Sequence, residues 1–219
     1  MSIPTNLQQV KSTLPENVTL VAVSKTKPVS DLMQAYEAGQ RIFGENKIQE
    51  MVEKWEQMPK DIQWHMIGHV QTNKVKFMAP FVSLIHGVDS LKLLQEINKQ
   101  AQKNNRIIDC LLQIHIADEE TKFGFDEEEL EILLNSIEFQ EMKNIRILGL
   151  MGMATFTDNQ EKIKQEFTHL KAIFDSIQMQ SVPILNFSIL SMGMSGDYKL
   201  AIECGSNMIR LGSSIFGSR

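Results

Sequence analysis

The 219-residue sequence has few cysteines, few tyrosines and tryptophans, and little excess charge. Cys110 and Cys204 stand far apart with no CxxC spacing, which excludes a disulfide framework and a four-cysteine zinc site and fits a reducing compartment. A formal net charge of -5 argues against broad contact with nucleic acid or anionic lipid, so neither is an expected partner. The N-terminus lacks a basic cluster followed by an apolar stretch; no secretory leader is expected, and the cytoplasm is the expected location. The longest uncharged run, Ser176 to Gly196, is long enough to cross a bilayer but carries Gln178, Gln180, Pro183 and Asn186, and it reads as buried strand plus loop. Neither a Pro/Gly/Ser-rich linker nor a low-complexity tract divides the chain, so residues 1 to 219 are expected to form one domain.

What is present is an ordinary globular composition, 42% hydrophobic and 22% charged. Short runs rich in Val, Ile and Leu alternate with segments of helical period, the sequence form of repeated strand-helix units in a parallel sheet. The runs are Val18 to Val23, Arg41 to Phe43, Ile62 to Ile67, Val82 to Val88, Ile107 to Ile114, Ile145 to Met151, Ile184 to Ser188 and Asn207 to Leu211. Helices are expected at Val29 to Ala38, Lys47 to Met58, Asn73 to Met78, Ser90 to Asn104, Asp126 to Ser136, Asn159 to Gln178 and Asp197 to Glu203. The acidic run Asp126 to Glu131 suits a helix N-terminus, where the dipole favours negative charge. The 13 methionines read as core filling rather than an adaptable interface. Eight such units predict a parallel (β/α)8 barrel; an open doubly wound sheet is the alternative, because counting strands does not prove closure. Both place ligands beyond the C-terminal ends of the strands.

Five strand ends carry chemistry. After the first run comes Ser24-Lys25-Thr26-Lys27-Pro28, and a strand-end lysine walled by low dielectric loses proton affinity and can attack a carbonyl carbon to form a Schiff base; the alternative is a pair of solvated loop charges. The second run ends in Phe43-Gly44-Glu45-Asn46, where Asn46 either caps a helix or faces a ligand. The third runs from Trp64 through His65 and His69 to Asn73-Lys74. It is not a phosphate loop, since Asn73 and Val75 stand where Gly and Ser or Thr are needed. His65 and His69 also fail as a zinc pair, because four residues along a strand separate side chains by about 13 Å. The last two runs lead into Ser191-Met192-Gly193-Met194-Ser195-Gly196-Asp197 and Arg210-Leu211-Gly212-Ser213-Ser214, small-residue turns placed where many barrels hold a phosphate.

Taken together, AVSKTKP (22 to 28), FGEN with Gln49-Glu50, WHMIGHVQTNKVK (64 to 76), Glu120 with Lys122-Phe123-Gly124-Phe125, SMGMSGD (191 to 197) and IRLGSSIFG (209 to 217) resemble the pyridoxal 5'-phosphate (PLP) homeostasis protein family, almost end to end and in order. The resemblance implies a single-domain barrel similar to the N-terminal domain of alanine racemase. It also implies PLP held as an aldimine on Lys25, its phosphate on Ser191 and the amides of Gly212 and Ser213, and Arg210 facing the pyridine nitrogen. Asn46 and His69 lie in matching motifs as secondary candidates for the same pocket. Two positions depart from the commonest pattern: Asn207 replaces a threonine, and His115 replaces an asparagine after the fifth strand.

A guanidinium beside the ring nitrogen disfavours its protonation and weakens the electron sink that amino-acid chemistry needs. Racemization would also need a second proton-transfer group, and the chain has just Tyr36 and Tyr198. The expectation is a monomeric PLP carrier that limits free aldehyde and hands the cofactor to apo-enzymes, without robust turnover. Two rivals remain open: a weak PLP-dependent racemase, and a cofactor-free Schiff-base aldolase acting on a phosphorylated sugar. A protein-binding role beside these has no identifying surface in the sequence.

Overall fold

Val, Ile and Leu dominate the eight short runs because the strands of a parallel barrel are covered on both faces. The computed structural model describes residues 2–118, 123–179 and 184–217. All eight runs are strands: β1 (Thr19–Val23), β2 (Ile42–Glu45), β3 (Gln63–Met66), β4 (Leu84–Val88), β5 (Ile108–Gln113), β6 (Ile145–Met151), β7 (Leu185–Ser191) and β8 (Met208–Leu211). Each pairs in parallel with its sequence neighbour, and β1 pairs with β8 (Val21 opposite Arg210), so the sheet closes. The chain is a (β/α)8 barrel, and the open-sheet alternative is ruled out by the β1–β8 ladder.

The helices are α1 (Ile3–Ser12), α2 (Val29–Glu37), α3 (Ile48–Gln57), α4 (Val75–Met78) after a 3-10 turn at Thr72–Lys74, α5 (Leu91–Lys103), α6 (Glu127–Asn135), α7 (Ile137–Gln140), α8 (Gln160–Gln178), α9 (Tyr198–Glu203) and α10 (Ser213–Phe216). The acidic run opens α6 as expected: Asp126 accepts from the Glu129 amide at 2.8 Å, and Glu129 accepts from the Asp126 amide at 3.1 Å. Three helices were not expected, α1, α7 and α10. α1 buries just Leu7 and Val10, too narrow a stripe for a clear helical period, and it starts on a Ser2 cap. Among the described residues, no helix is long and apolar enough to cross a membrane.

Alternation along the strands sorts two cores. One face packs Phe43, Trp64, Met66, Ile85 and Leu112 against the helices. The other fills the lower bore with Val21, Leu84, Leu111, Met151 and Met208. Two residues further along the same strands, toward the C-terminal mouth, the inward positions change character: His86 follows Leu84, Gln113 follows Leu111 and Arg210 follows Met208, and all three are buried. The polar layer floors the site.

Candidate functional site

Above that layer a cavity of about 600 Å³ opens at the C-terminal mouth, lined among others by Lys25, Asn46, His69, Arg210, Gly212 and Ser213. The strand-end lysine and the two small-residue turns, separated by most of the sequence, share one wall because β1 lies beside β8. Val23, Ile67 and Met153 supply apolar surface between the polar groups. A cleft of about 760 Å³ lies at the opposite end, around the strand starts Ile107, Ile145 and Ile184. There Arg146 already engages Asp109 at 2.7 Å, so it lacks convergent polar groups, and the mouth is the better candidate.

Lys25 is half-buried on a backbone held from both sides. Thr26, next in sequence, has φ 63, left-handed geometry that a β-branched residue rarely adopts. Its amide donates to Glu50 Oε1 at 2.6 Å. Lys54 Nζ donates to the Ser24 carbonyl at 2.8 Å and to Glu45 Oε1 and Glu50 Oε1, each at 2.7 Å, while Ser24 Oγ donates to Glu45 Oε1 at 2.6 Å. A buried cation and two carboxylates thus clamp the residues flanking Lys25. Burial pushes the Glu45 carboxyl above its ordinary value, and the Lys54 ammonium pulls in the other direction. Sequence reading noted Glu45 and Glu50 inside motifs but missed Lys54. Its signal was spacing: Ile48, Met51 and Lys54 recur every three residues on the buried stripe of α3.

Arg210 is 4% exposed and aims two groups inward: Nη1 donates to the Ser191 carbonyl at 2.9 Å and to Ser191 Oγ at 2.7 Å, and Nη2 donates to the Gly152 carbonyl at 3.2 Å. Ser191 lies in the floor beneath the cavity rather than on its wall. Its hydroxyl also meets His86 Nδ1 at 3.1 Å, and His86 Nε2 meets His65 Nδ1 at 3.0 Å. The rim serine of that loop is Ser195, which lines the cavity. Gly193, at φ 98, turns the loop back, and a Cβ there would stand 2.7 Å from that of Ala201.

Asn46 and His69 face the cavity from the β2 and β3 ends, and Gly68 lets the two loops touch: a Cβ at Gly68 would lie 2.5 Å from the Asn46 carbonyl oxygen. His69 Nδ1 lies 3.0 Å from Asp89 Oδ2, and its ring stacks on Phe123 with centroids 3.9 Å apart. His115 bonds through its amide to the Phe125 carbonyl at 2.9 Å and is not on the cavity wall. Asn207 adds side-chain bonds to the backbone one its amide makes to the Leu190 carbonyl at 3.2 Å: Oδ1 accepts from the Leu190 amide at 2.8 Å and Nδ2 donates to the Ser188 carbonyl at 2.7 Å. Glu120 and Lys122 of the quoted motif lie outside the described residues.

Comparison with known proteins follows the same lines. The family model for the alanine racemase N-terminal domain matches residues 2–219. The chain is 39% identical over 221 residues to the pyridoxal phosphate homeostasis protein of a Synechocystis species, covering 100% of both chains. It is 38% identical to that of Pasteurella multocida over 232 residues, covering 100% of this chain and 98% of the relative. The chain belongs to the pyridoxal phosphate homeostasis protein family. PipY of Synechococcus elongatus, solved with PLP bound, superposes with a TM-score of 0.90 at 33% identity, covering 99% of this chain and 100% of PipY. Alanine racemase from E. faecalis shares the fold, with a TM-score of 0.75 at 19% identity, and this chain spans 58% of it.

Proposed function

We propose that the protein binds PLP in this cavity as a Schiff base on Lys25, keeps free aldehyde low and supplies the cofactor to apo-enzymes, as a cytoplasmic monomer without robust catalysis. The observation that carries the reading is the shared wall of Lys25, Gly212 and Ser213. The residues fit the group. Gly212 and Ser213 open α10, so their amides belong to a first turn that has no intrahelical acceptors, and a Cβ at Gly212 would press within 3.3 Å of the Val23 carbonyl. With the Ser195 hydroxyl they suit a phosphate; Ser191, which the resemblance gives to the phosphate, is bonded to Arg210. Arg210 would face the ring nitrogen as a donor, and Asn46 and His69 would border the ring's other side. When bound, PLP supplies an electrophilic carbon for an amine and an electron-withdrawing ring.

Restraint of catalysis is supported by the guanidinium at the ring and by the tyrosines: neither Tyr36 nor Tyr198 lines the cavity, and the Tyr36 hydroxyl donates to Asp61 at 2.9 Å. One feature favours the racemase rival. His69 on the wall is oriented by Asp89, an arrangement able to move a proton. Incubation with PLP, borohydride reduction and peptide mass spectrometry should place one adduct on Lys25, absent in Lys25→Ala. An adduct spread over surface lysines would overturn the site. Deuterium exchange at an amino-acid α-carbon, at enzymatic rates and abolished by Lys25→Ala or His69→Ala, would overturn the carrier reading in favour of an enzyme.

A further inference from the structure

We propose that Ser191, His86 and His65 are positioning residues for Arg210, forming one hydrogen-bond chain across the barrel bore whose polarity is fixed by the guanidinium; this rests on the PLP reading for its functional consequence. The chain runs Arg210 (β8), Ser191 (β7), His86 (β4) and His65 (β3), with links of 2.7, 3.1 and 3.0 Å, and all four side chains are buried. Arginine donates and cannot accept. Its bond to Ser191 Oγ therefore leaves the serine proton to be given onward, and His86 Nδ1 is the acceptor in reach among the described residues. His86 must then carry its proton on Nε2 and donate to His65 Nδ1, which in turn puts the His65 proton on Nε2. With the opposite polarity, His86 would donate to Ser191 and the serine hydroxyl would have no acceptor.

The consequence is a guanidinium whose orientation is locked from behind. No carboxylate lies within ion-pair distance of Arg210 among the described residues; its hydrogen bonds go to neutral groups, and the Asp197 carboxylate on the cavity wall acts on it from further away. Protonating either imidazole would break the sequence of donors. Burial agrees with this: it holds His65 down to about 3 and His86 well below its ordinary value, with the neighbouring His65 and Arg210 charges adding to the effect on His86.

Nitrogen-15 NMR of the protein without PLP tests the chain itself. Both imidazoles should be neutral Nε2-H tautomers at pH 7; a proton on Nδ1 of His86, or a cationic ring at either position, would overturn the proposal whether or not PLP binds. The functional arm compares His86→Gln, whose amide can accept from Ser191 and donate to His65, with His86→Leu, which can do neither. In PLP-loaded protein, His86→Leu should release PLP roughly tenfold faster, the lower end of the loss seen when the partner behind a metal-holding side chain is removed. His86→Gln should retain the wild-type rate and absorption spectrum. Equal behaviour of the two variants would overturn the positioning role. If wild type takes up no PLP, the cofactor reading fails while the NMR result still decides the chain.

Discussion

At the scale of single residues, the decisive feature is how the chain keeps polar groups buried beside Lys25. Lys54 sits on the buried stripe of α3, where an apolar side chain would cost nothing in desolvation, yet its ammonium holds the Ser24 carbonyl and two carboxylates. Such a pair adds little net stability, but breaking it leaves an uncompensated charge in low dielectric. Lys54→Met should therefore lower unfolding free energy by about 3–5 kcal/mol in urea melts. Adding Glu45→Gln, which removes the stranded charge and keeps an acceptor for Ser24, should recover more than half of that loss. A double variant as unstable as the sum of the two single ones would refute the coupling. The left-handed Thr26 backbone follows from the same clamp: the Glu50 carboxylate accepts its amide and holds it in a conformation that alone costs on the order of 1–3 kcal/mol.

At the scale of elements, the β7–β8 seam differs from the rest of the barrel. β7 meets β8 at Ser191 opposite Met208, whereas β5 and β6 pair from Ile108 opposite Ile145 to Gln113 opposite Met151. Side chains stitch what the ladder leaves open: Asn207 bridges to Leu190 and Ser188, and Ser206 Oγ reaches the Met192 carbonyl at 2.7 Å. Closure of the seam carries Ser191 and Arg210 into register, so Asn207→Ala should cost about 1–3 kcal/mol and speed amide exchange at Leu190 more than at Leu112. Uniform exchange across both sites would show that the seam does not depend on Asn207. Sequence reading identified the departure at Asn207 but not its role, because a strand partner becomes defined when the barrel closes. The same reason hid α10, a single turn with no period of its own, and His86, an ordinary member of an apolar run until β4 turns it toward Ser191.

For the whole molecule, the buried imidazoles couple folding to acidity. His65 is held near 3 in the native protein against about 6.5 unfolded, so the unfolded chain binds more protons below neutrality. The stability it contributes is present above pH 6.5 and is lost as pH falls toward 3. Glu45 acts with opposite sign, since its raised value favours the folded state on acidification. Comparing wild type with His65→Gln cancels the Glu45 contribution. From pH 7 to pH 5 wild type should lose about 2 kcal/mol more than the variant, measured by denaturant unfolding at each pH. Equal losses would mean that His65 takes up its proton in the folded state.

The sequence by itself determined the eight strands, their helical alternation, the strand-end lysine and the small-residue turns near the C-terminus, because hydrophobic period and turn chemistry are local properties. Tertiary structure alone decided that β1 closes on β8, that Lys25 and Gly212 thereby share a wall, that Ser191 stands behind Arg210 while Ser195 reaches the rim, and that Lys54 and two histidines are internal. Those outcomes depend on which inward positions meet across the bore, a distance set by strand register and closure and not by separation along the chain.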